Sequence, residues 1–184
     1  MILSSLGLTT EDRIADLTCG MGNFINFCPS EEKFYGCEMD EDACKIARFL
    51  YPKAHLEHQD IREYCPGVFF DCVVGNPPFN LSWEYGDKKV SSQLGYCLIA
   101  AEMLVPLGIL AVIVPESFLA DSFMDQDAIR LMEERYSFLC QADLPETMFS
   151  GYGVEKFAVK LQFWQKKSKR VKLPESSYTQ ESVR

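Results

Sequence analysis

The sequence predicts a three-layer α/β fold, and three observations predict it. Short apolar runs rich in β-branched and aromatic residues alternate with helix-like segments along most of the chain. A glycine turn follows the first run, and acidic residues close the first three runs in succession. The fourth run, Phe69-Phe70-Asp71-Cys72-Val73-Val74, has the near-continuous apolar character of a strand buried on both faces. The 184 residues suffice for one domain with a sizeable core. Residues 1–165 are expected to form that domain, and 166–184 a polar, basic tail or linker.

The elements follow in order. Residues 13–17 read as a first strand, and 21–28 as a helix stopped by Pro29. A second strand covers 33–38. Asp40 offers the side-chain acceptor of an N-cap for a helix reaching about Leu50, with Pro52 beyond its end. Residues 54–59 and 69–74 read as the third and fourth strands. Residues 76–92 hold Pro77, Pro78 and Gly86 without an evident period. They read as a loop, and its part over 80–92, carrying Trp83, Tyr85, Lys88 and Lys89 beside 76–79, is expected to be mobile and to order over a substrate. A helix over 93–104, a strand over 109–114 and a helix over 127–135 come next. Strands at 136–144 and 156–164 are joined closely enough to suit an antiparallel edge pair.

Composition excludes several classes. At 47% hydrophobic, 12% aromatic and 24% charged, the chain reads as an ordinary globular protein. No apolar run approaches the ~20 residues of a membrane helix. No signal-type segment opens the chain, so a cytoplasmic location and no membrane partner are expected. The eight cysteines are scattered without a C-x-x-C pair and read as reduced, buried thiols. His55 and His58 would point to opposite faces of a strand, so no metal site is expected. The formal charge of −9 argues against a large phosphate footprint on this chain alone. The basic residues concentrate late, at Lys166, Lys167, Lys169, Arg170 and Lys172.

Chemistry enters at two places. Asp16-Leu17-Thr18-Cys19-Gly20-Met21-Gly22-Asn23-Phe24 puts two glycines at a strand-to-helix turn, where backbone can approach a ligand closely. Glu38 stands 22 residues after Asp16, about where nucleotide-binding α/β folds place the acid that takes ribose hydroxyls. Asp60 closes the third strand. The fourth strand runs into Asn76-Pro77-Pro78-Phe79. Two prolines fix φ and remove two N–H donors, so this loop presents acceptors in a stiff geometry. Asn76 Oδ1 and the Pro77 carbonyl are placed to take the two hydrogens of a primary amine, favouring a tetrahedral nitrogen and the positive charge of attack. Phe79 offers a face for stacking.

These motifs resemble the class I S-adenosylmethionine-dependent methyltransferases, in particular the branch that modifies adenine N6 in DNA. The resemblance spans about residues 11–164. It includes the N-P-P-[YF] signature at 76–79, the strand motif at 108–115, and 144–149 (L-P-E-T-M-F), similar to a late motif of modification methylases. It implies a Rossmann-like, seven-stranded, mostly parallel sheet with one antiparallel edge strand. It also implies S-adenosyl-L-methionine as cofactor, contacted by Asp16, Thr18, Gly20, Gly22, Phe24, Glu38, Met39, Asp60, Ile61 and Asn76. Asn76, Pro77, Pro78 and Phe79 are then catalytic, and Phe79 and Phe149 face the target base. Family members usually carry an upstream segment over the cofactor and a later target-recognition domain. This chain is therefore expected to reach DNA through a further domain or subunit. Alternatives are the same chemistry on an RNA base, on cytosine N4 or on a protein glutamine, an inactive methyltransferase-like binding subunit, and a nicotinamide oxidoreductase. The oxidoreductase leaves 76–79 unexplained.

Overall fold

The computed structural model describes residues 6–119, 126–147, 151 and 157–168. Nine strands and three α-helices follow one another in it. They are β1 (Ile14–Asp16), β2 (Phe34–Glu38), α1 (Glu41–Leu50), β3 (His55–His58), β4 (Phe70–Gly75), β5 (Ser82–Tyr85), β6 (Lys88–Ser91), α2 (Ser92–Met103), β7 (Leu104–Pro115), α3 (Gln126–Arg135), β8 (Tyr136–Asp143) and β9 (Val159–Lys166). Seven strands form one sheet in the order β3-β2-β1-β4-β7-β9-β8. The pairs from β3 to β7 are parallel, and β9 runs antiparallel to β7 and to β8. The single reversed strand thus lies on the far side of the sheet, paired with the edge strand β8, as the short connection predicted.

Strand order reverses between β1 and β4. The chain runs outward through β2 and β3, then returns to lay β4 on the other side of β1. At that switch point Asp16 pairs with Val74, so the turns leaving β1 and β4 emerge side by side. Two apolar clusters sandwich the sheet. One joins Val73, Leu110 and Trp164 to α2 and to Met132 of α3. The other joins Ile14, Phe34, Cys72 and Val74 to Ala47 of α1. β4 is buried at five of its six residues because helices cover both faces. α2 is buried nearly all round, since the sheet lies under it and β5–β6 over it. α1 begins as expected: Asp40 accepts the Ala43 amide at 2.8 Å.

Four expectations are corrected. The helix over 21–28 is a short 3₁₀ turn, Ile25–Phe27. Gly20 and Gly22 both take positive φ (52° and 86°), and the amides of Gly22, Ile25 and Cys28 each bond three residues back rather than four. The segment over 76–92 is not a bare loop. Ser82–Tyr85 and Lys88–Ser91 pair antiparallel around a two-residue turn, with Gly86 at φ 56°, the first central position at which such hairpins favour glycine. This hairpin lies along α2: Trp83 packs against Gly95, and Tyr85 donates to Glu102 at 2.5 Å, with the Arg135 guanidinium 6.0 Å from its ring centre. Lys88 pairs with Tyr85 at the last turn of α2, so Lys88 and Lys89 lie away from 76–79. The basic tail begins later than expected, because Lys166 belongs to β9. Lys169, Arg170, Lys172, Phe149 and the rest of 169–184 fall outside the described residues. Finally, Cys65 and Cys140 are exposed. Burial pushes the thiols of Cys19, Cys37, Cys72 and Cys97 far above their ordinary value. No described helix is long and apolar enough to cross a membrane.

Candidate active site

The site is built on strand ends. Asp16, the last residue of β1, is 2% exposed and accepts the Thr18 amide at 3.0 Å. Burial raises its carboxyl from 3.8 to about 7, and the nearby Glu38 carboxylate adds to the rise against the Thr18 hydrogen bond. Glu38, the last residue of β2, holds two main-chain donors: the Gly20 amide at 2.8 Å and the Asp40 amide at 2.8 Å. One carboxylate therefore fixes the glycine turn and the entry to α1 together.

The two glycines differ in use. A Cβ on Gly20 would meet nothing within 4 Å, so this left-handed residue opens onto free space. A Cβ on Gly22 would lie 2.8 Å from Ile25 and from Tyr51, so Gly22 serves close packing. Phe24 is half-buried against the Ile14 and Phe34 cluster. Met39 is exposed just beyond β2, and Ile61 is buried in the α2-side core beside Tyr64. The Thr18 hydroxyl is buried with no partner among the described residues. Asp60 lies just beyond β3, and its carboxylate is gripped by Arg62, through the backbone amide at 2.9 Å and the guanidinium Nε at 2.9 Å. The Arg62 guanidinium holds the Asp60 carboxyl below its ordinary value. His55 and His58 bond two different backbone carbonyls, those of Glu32 and Met39.

Residues 76–79 leave β4 at Gly75. Pro77 is buried, Asn76 and Pro78 are exposed, and Phe79 is half-buried. The Phe79 ring stacks on Phe157, centroids 5.6 Å apart at 18°. Among the described residues, neither Asn76 Oδ1 nor the Pro77 carbonyl takes a hydrogen bond. The structure thus brings Asp16, Thr18, Gly20, Glu38, Asp60 and Asn76 to one edge of the sheet.

Sequence reasoning missed three residues, all on α2. Tyr96 is fully buried; its hydroxyl donates to the Val74 carbonyl at 2.5 Å and accepts the Leu17 amide at 3.2 Å. It ties the ends of β1 and β4 together, and a Cβ on Gly75 would lie 2.1 Å from that hydroxyl. Ser92 and Gln93, both buried, bond the backbone of 78–81. The sequence signal was a pair of polar residues opening an otherwise apolar helix.

No family model matches the chain. It is 25% identical over 134 residues to the type II methyltransferase M.CvrRI of Paramecium bursaria Chlorella virus XZ-6E, covering 67% of this chain and 35% of that protein. It is 30% identical over 122 residues to the dTDP-3-amino-3,4,6-trideoxy-alpha-D-glucopyranose N,N-dimethyltransferase of Streptomyces venezuelae, covering 64% of this chain and 49% of that one. The chain therefore spans about a third to a half of the length of these curated relatives. Its fold matches the type I restriction-modification methyltransferase subunit from Streptococcus thermophilus at a TM-score of 0.71 and 16% identity, over 89% of this chain and 42% of that one. In sequence the chain is thus similar to two methyltransferases, and in fold to a methyltransferase subunit. Both curated relatives are named as methyltransferases, and the second is named for methylating an amine.

Proposed function

We propose that this chain is the catalytic core of an S-adenosylmethionine-dependent N-methyltransferase whose target is the N6 amine of adenine in DNA. The observation that carries the reading is Asn76-Pro77-Pro78-Phe79 at the carboxyl end of β4, beside the acidic end of β1, with the Asn76 and Pro77 acceptors unpaired among the described residues. The cofactor fits the strand edge: Gly20 leaves open space, Thr18 carries an orphaned hydroxyl, and Asp16 and Glu38 supply carboxylates suited to a cationic nucleoside. Bound there, the cofactor supplies an electrophilic methyl group.

The chain's own residues do the rest. Glu38 holds the ribose side of the site while fixing the Gly20 turn. Asp60, kept ionised by Arg62, faces the nucleobase edge with Met39 and Ile61 beside it. Asn76 Oδ1 and the Pro77 carbonyl hold the two hydrogens of the target amine. They turn its lone pair out of conjugation with the ring and stabilise the charge that grows on nitrogen. Phe79 stacks on the extruded base, with Phe157 behind it and Phe149 contributing from the late motif.

DNA is favoured over RNA or protein by the late motif at 144–149, by the curated type II methyltransferase, and by the match to type I modification subunits. With 27 acidic against 18 basic residues, recognition of the duplex falls to a further domain or subunit. The test incubates the protein with methyl-labelled cofactor and DNA, RNA or protein in parallel, with and without partner subunits. Label entering DNA supports the reading. Label entering RNA or protein alone transfers the same chemistry to the other substrate.

A further inference from the structure

Gln93 takes no part in the chemistry above, yet it is 5% exposed and bonded through both its side-chain oxygen and its side-chain nitrogen. Its side-chain carbonyl accepts the Asn80 amide at 3.0 Å, and its side-chain amide donates to Asn80 Oδ1 at 3.3 Å. Its neighbour Ser92 donates from Oγ to the Pro78 carbonyl at 2.5 Å and accepts the Leu81 amide at 3.1 Å. The Ser92 amide in turn bonds the Leu81 carbonyl at 2.8 Å. Five hydrogen bonds thus pin residues 78–81 to the first turn of α2. Asn80 is held at φ 58°, a conformation other non-glycine residues adopt with strain.

The bonds fall on one side of the acceptor loop. The Pro78 carbonyl is committed inward to Ser92, while Asn76 Oδ1 and the Pro77 carbonyl stay unpaired among the described residues. Peptide planarity and the two fixed proline φ angles carry the constraint from Pro78 back to Pro77. Methyl transfer demands near-attack geometry, and a displacement of ~1 Å commonly costs ~10²-fold in rate.

We propose that Gln93, assisted by Ser92, is the positioning residue of the acceptor loop: its two bonds to Asn80 hold the Pro77 carbonyl and Asn76 at the place where the amine reacts. This rests on the N-methyltransferase reading. It concerns the loop and not the cofactor, whose site is built from β1, β2 and β3.

Two variants test it in the full chain with any partner subunits. Gln93→Met keeps the side-chain length and removes both hydrogen bonds. Asn80→Gly suits the positive φ and removes only the bond to Asn80 Oδ1. Hydrogen exchange at the bonded amides of Asn80 and Leu81 should rise about tenfold or more in Gln93→Met and less in Asn80→Gly, since bonded amides exchange chiefly on opening. Methyl transfer to adenine-unmethylated genomic DNA should fall about 10–100-fold in kcat, with KM for DNA and affinity for S-adenosylhomocysteine each within about twofold. Unchanged exchange at residues 80 and 81 in both variants overturns the clamp. Faster exchange with unchanged kcat overturns its role in positioning. If the wild-type protein transfers no methyl group to DNA, the proposed function fails, and the exchange measurement still decides whether Gln93 holds the loop.

Discussion

Asp16→Asn should stabilise the domain at alkaline pH while damaging the site. Asp16 is a carboxyl buried at a strand end, and burial raises it from 3.8 to about 7. A carboxyl raised in the fold favours folding fully below its unfolded value, and that contribution is lost as pH rises through the folded value. At ~1.36 kcal/mol per pH unit, the interval from 3.8 to about 7 is worth about 4 kcal/mol, lost between about pH 4 and pH 7. Asparagine cannot ionise, and its Oδ1 can still accept the Thr18 amide now bonded at 3.0 Å. Relative to wild type, Asp16→Asn should therefore gain up to about 4 kcal/mol on moving from pH 4 to pH 8, on the order of 10 °C in Tm for a domain of this size. The same change removes a carboxylate from the cationic cofactor's site, so affinity for S-adenosylmethionine at pH 8 should fall about tenfold or more. The assays are urea denaturation at the two pH values and a calorimetric cofactor titration. A stability difference between variant and wild type that does not change with pH refutes the buried-charge reasoning. Unchanged cofactor affinity refutes the placement of Asp16 in the site.

Four further outcomes are expected. Asn76→Ala should abolish methyl transfer yet bind S-adenosylhomocysteine within about twofold of wild type by calorimetry, because its acceptor acts chiefly on charge developing at the amine. Glu38→Ala should weaken cofactor binding by roughly 1–3 kcal/mol, as expected for losing a charged hydrogen-bond partner, and loosen the Gly20 turn it now holds at 2.8 Å. Tyr96→Phe should lower stability by about 1–3 kcal/mol in urea, since the Leu17 amide loses a buried partner. At about 150 mM salt the chain alone should bind duplex DNA weakly in an anisotropy titration, with affinity falling steeply as salt rises.

Much of the fold was legible because the signals were local and repeated. The apolar run ending at Val74 and the N-cap Asp40 occupy the strand and cap positions their residues suggested, Asp16 and Glu38 close β1 and β2, and Asp60 stands two residues beyond β3. The 21–28 helix failed because two left-handed glycines at its start break the four-residue bonding pattern a helix needs. The 82–91 hairpin was hidden by the prolines before it. Its period-two pattern, with Trp83, Tyr85 and Val90 on the packed side and Gly86-Asp87 at the turn, was present but only four residues long per strand. The place of residues 76–79 at the end of the fourth strand was readable from the sequence. Their supports were not, because Tyr96, Ser92 and Gln93 act across separations of 11 to 79 residues, which periodicity does not encode.

The most direct measurement is the identity of the methylated product. Adenine-unmethylated DNA is incubated with the protein, its partner subunits and methyl-labelled S-adenosylmethionine, then digested to nucleosides and resolved by mass spectrometry, with the Asn76→Ala protein in parallel. Labelled N6-methyladenine from the wild-type protein, and none from Asn76→Ala, is the expected result. Label recovered only in another nucleoside, or equal N6-methyladenine from both proteins, would contradict it.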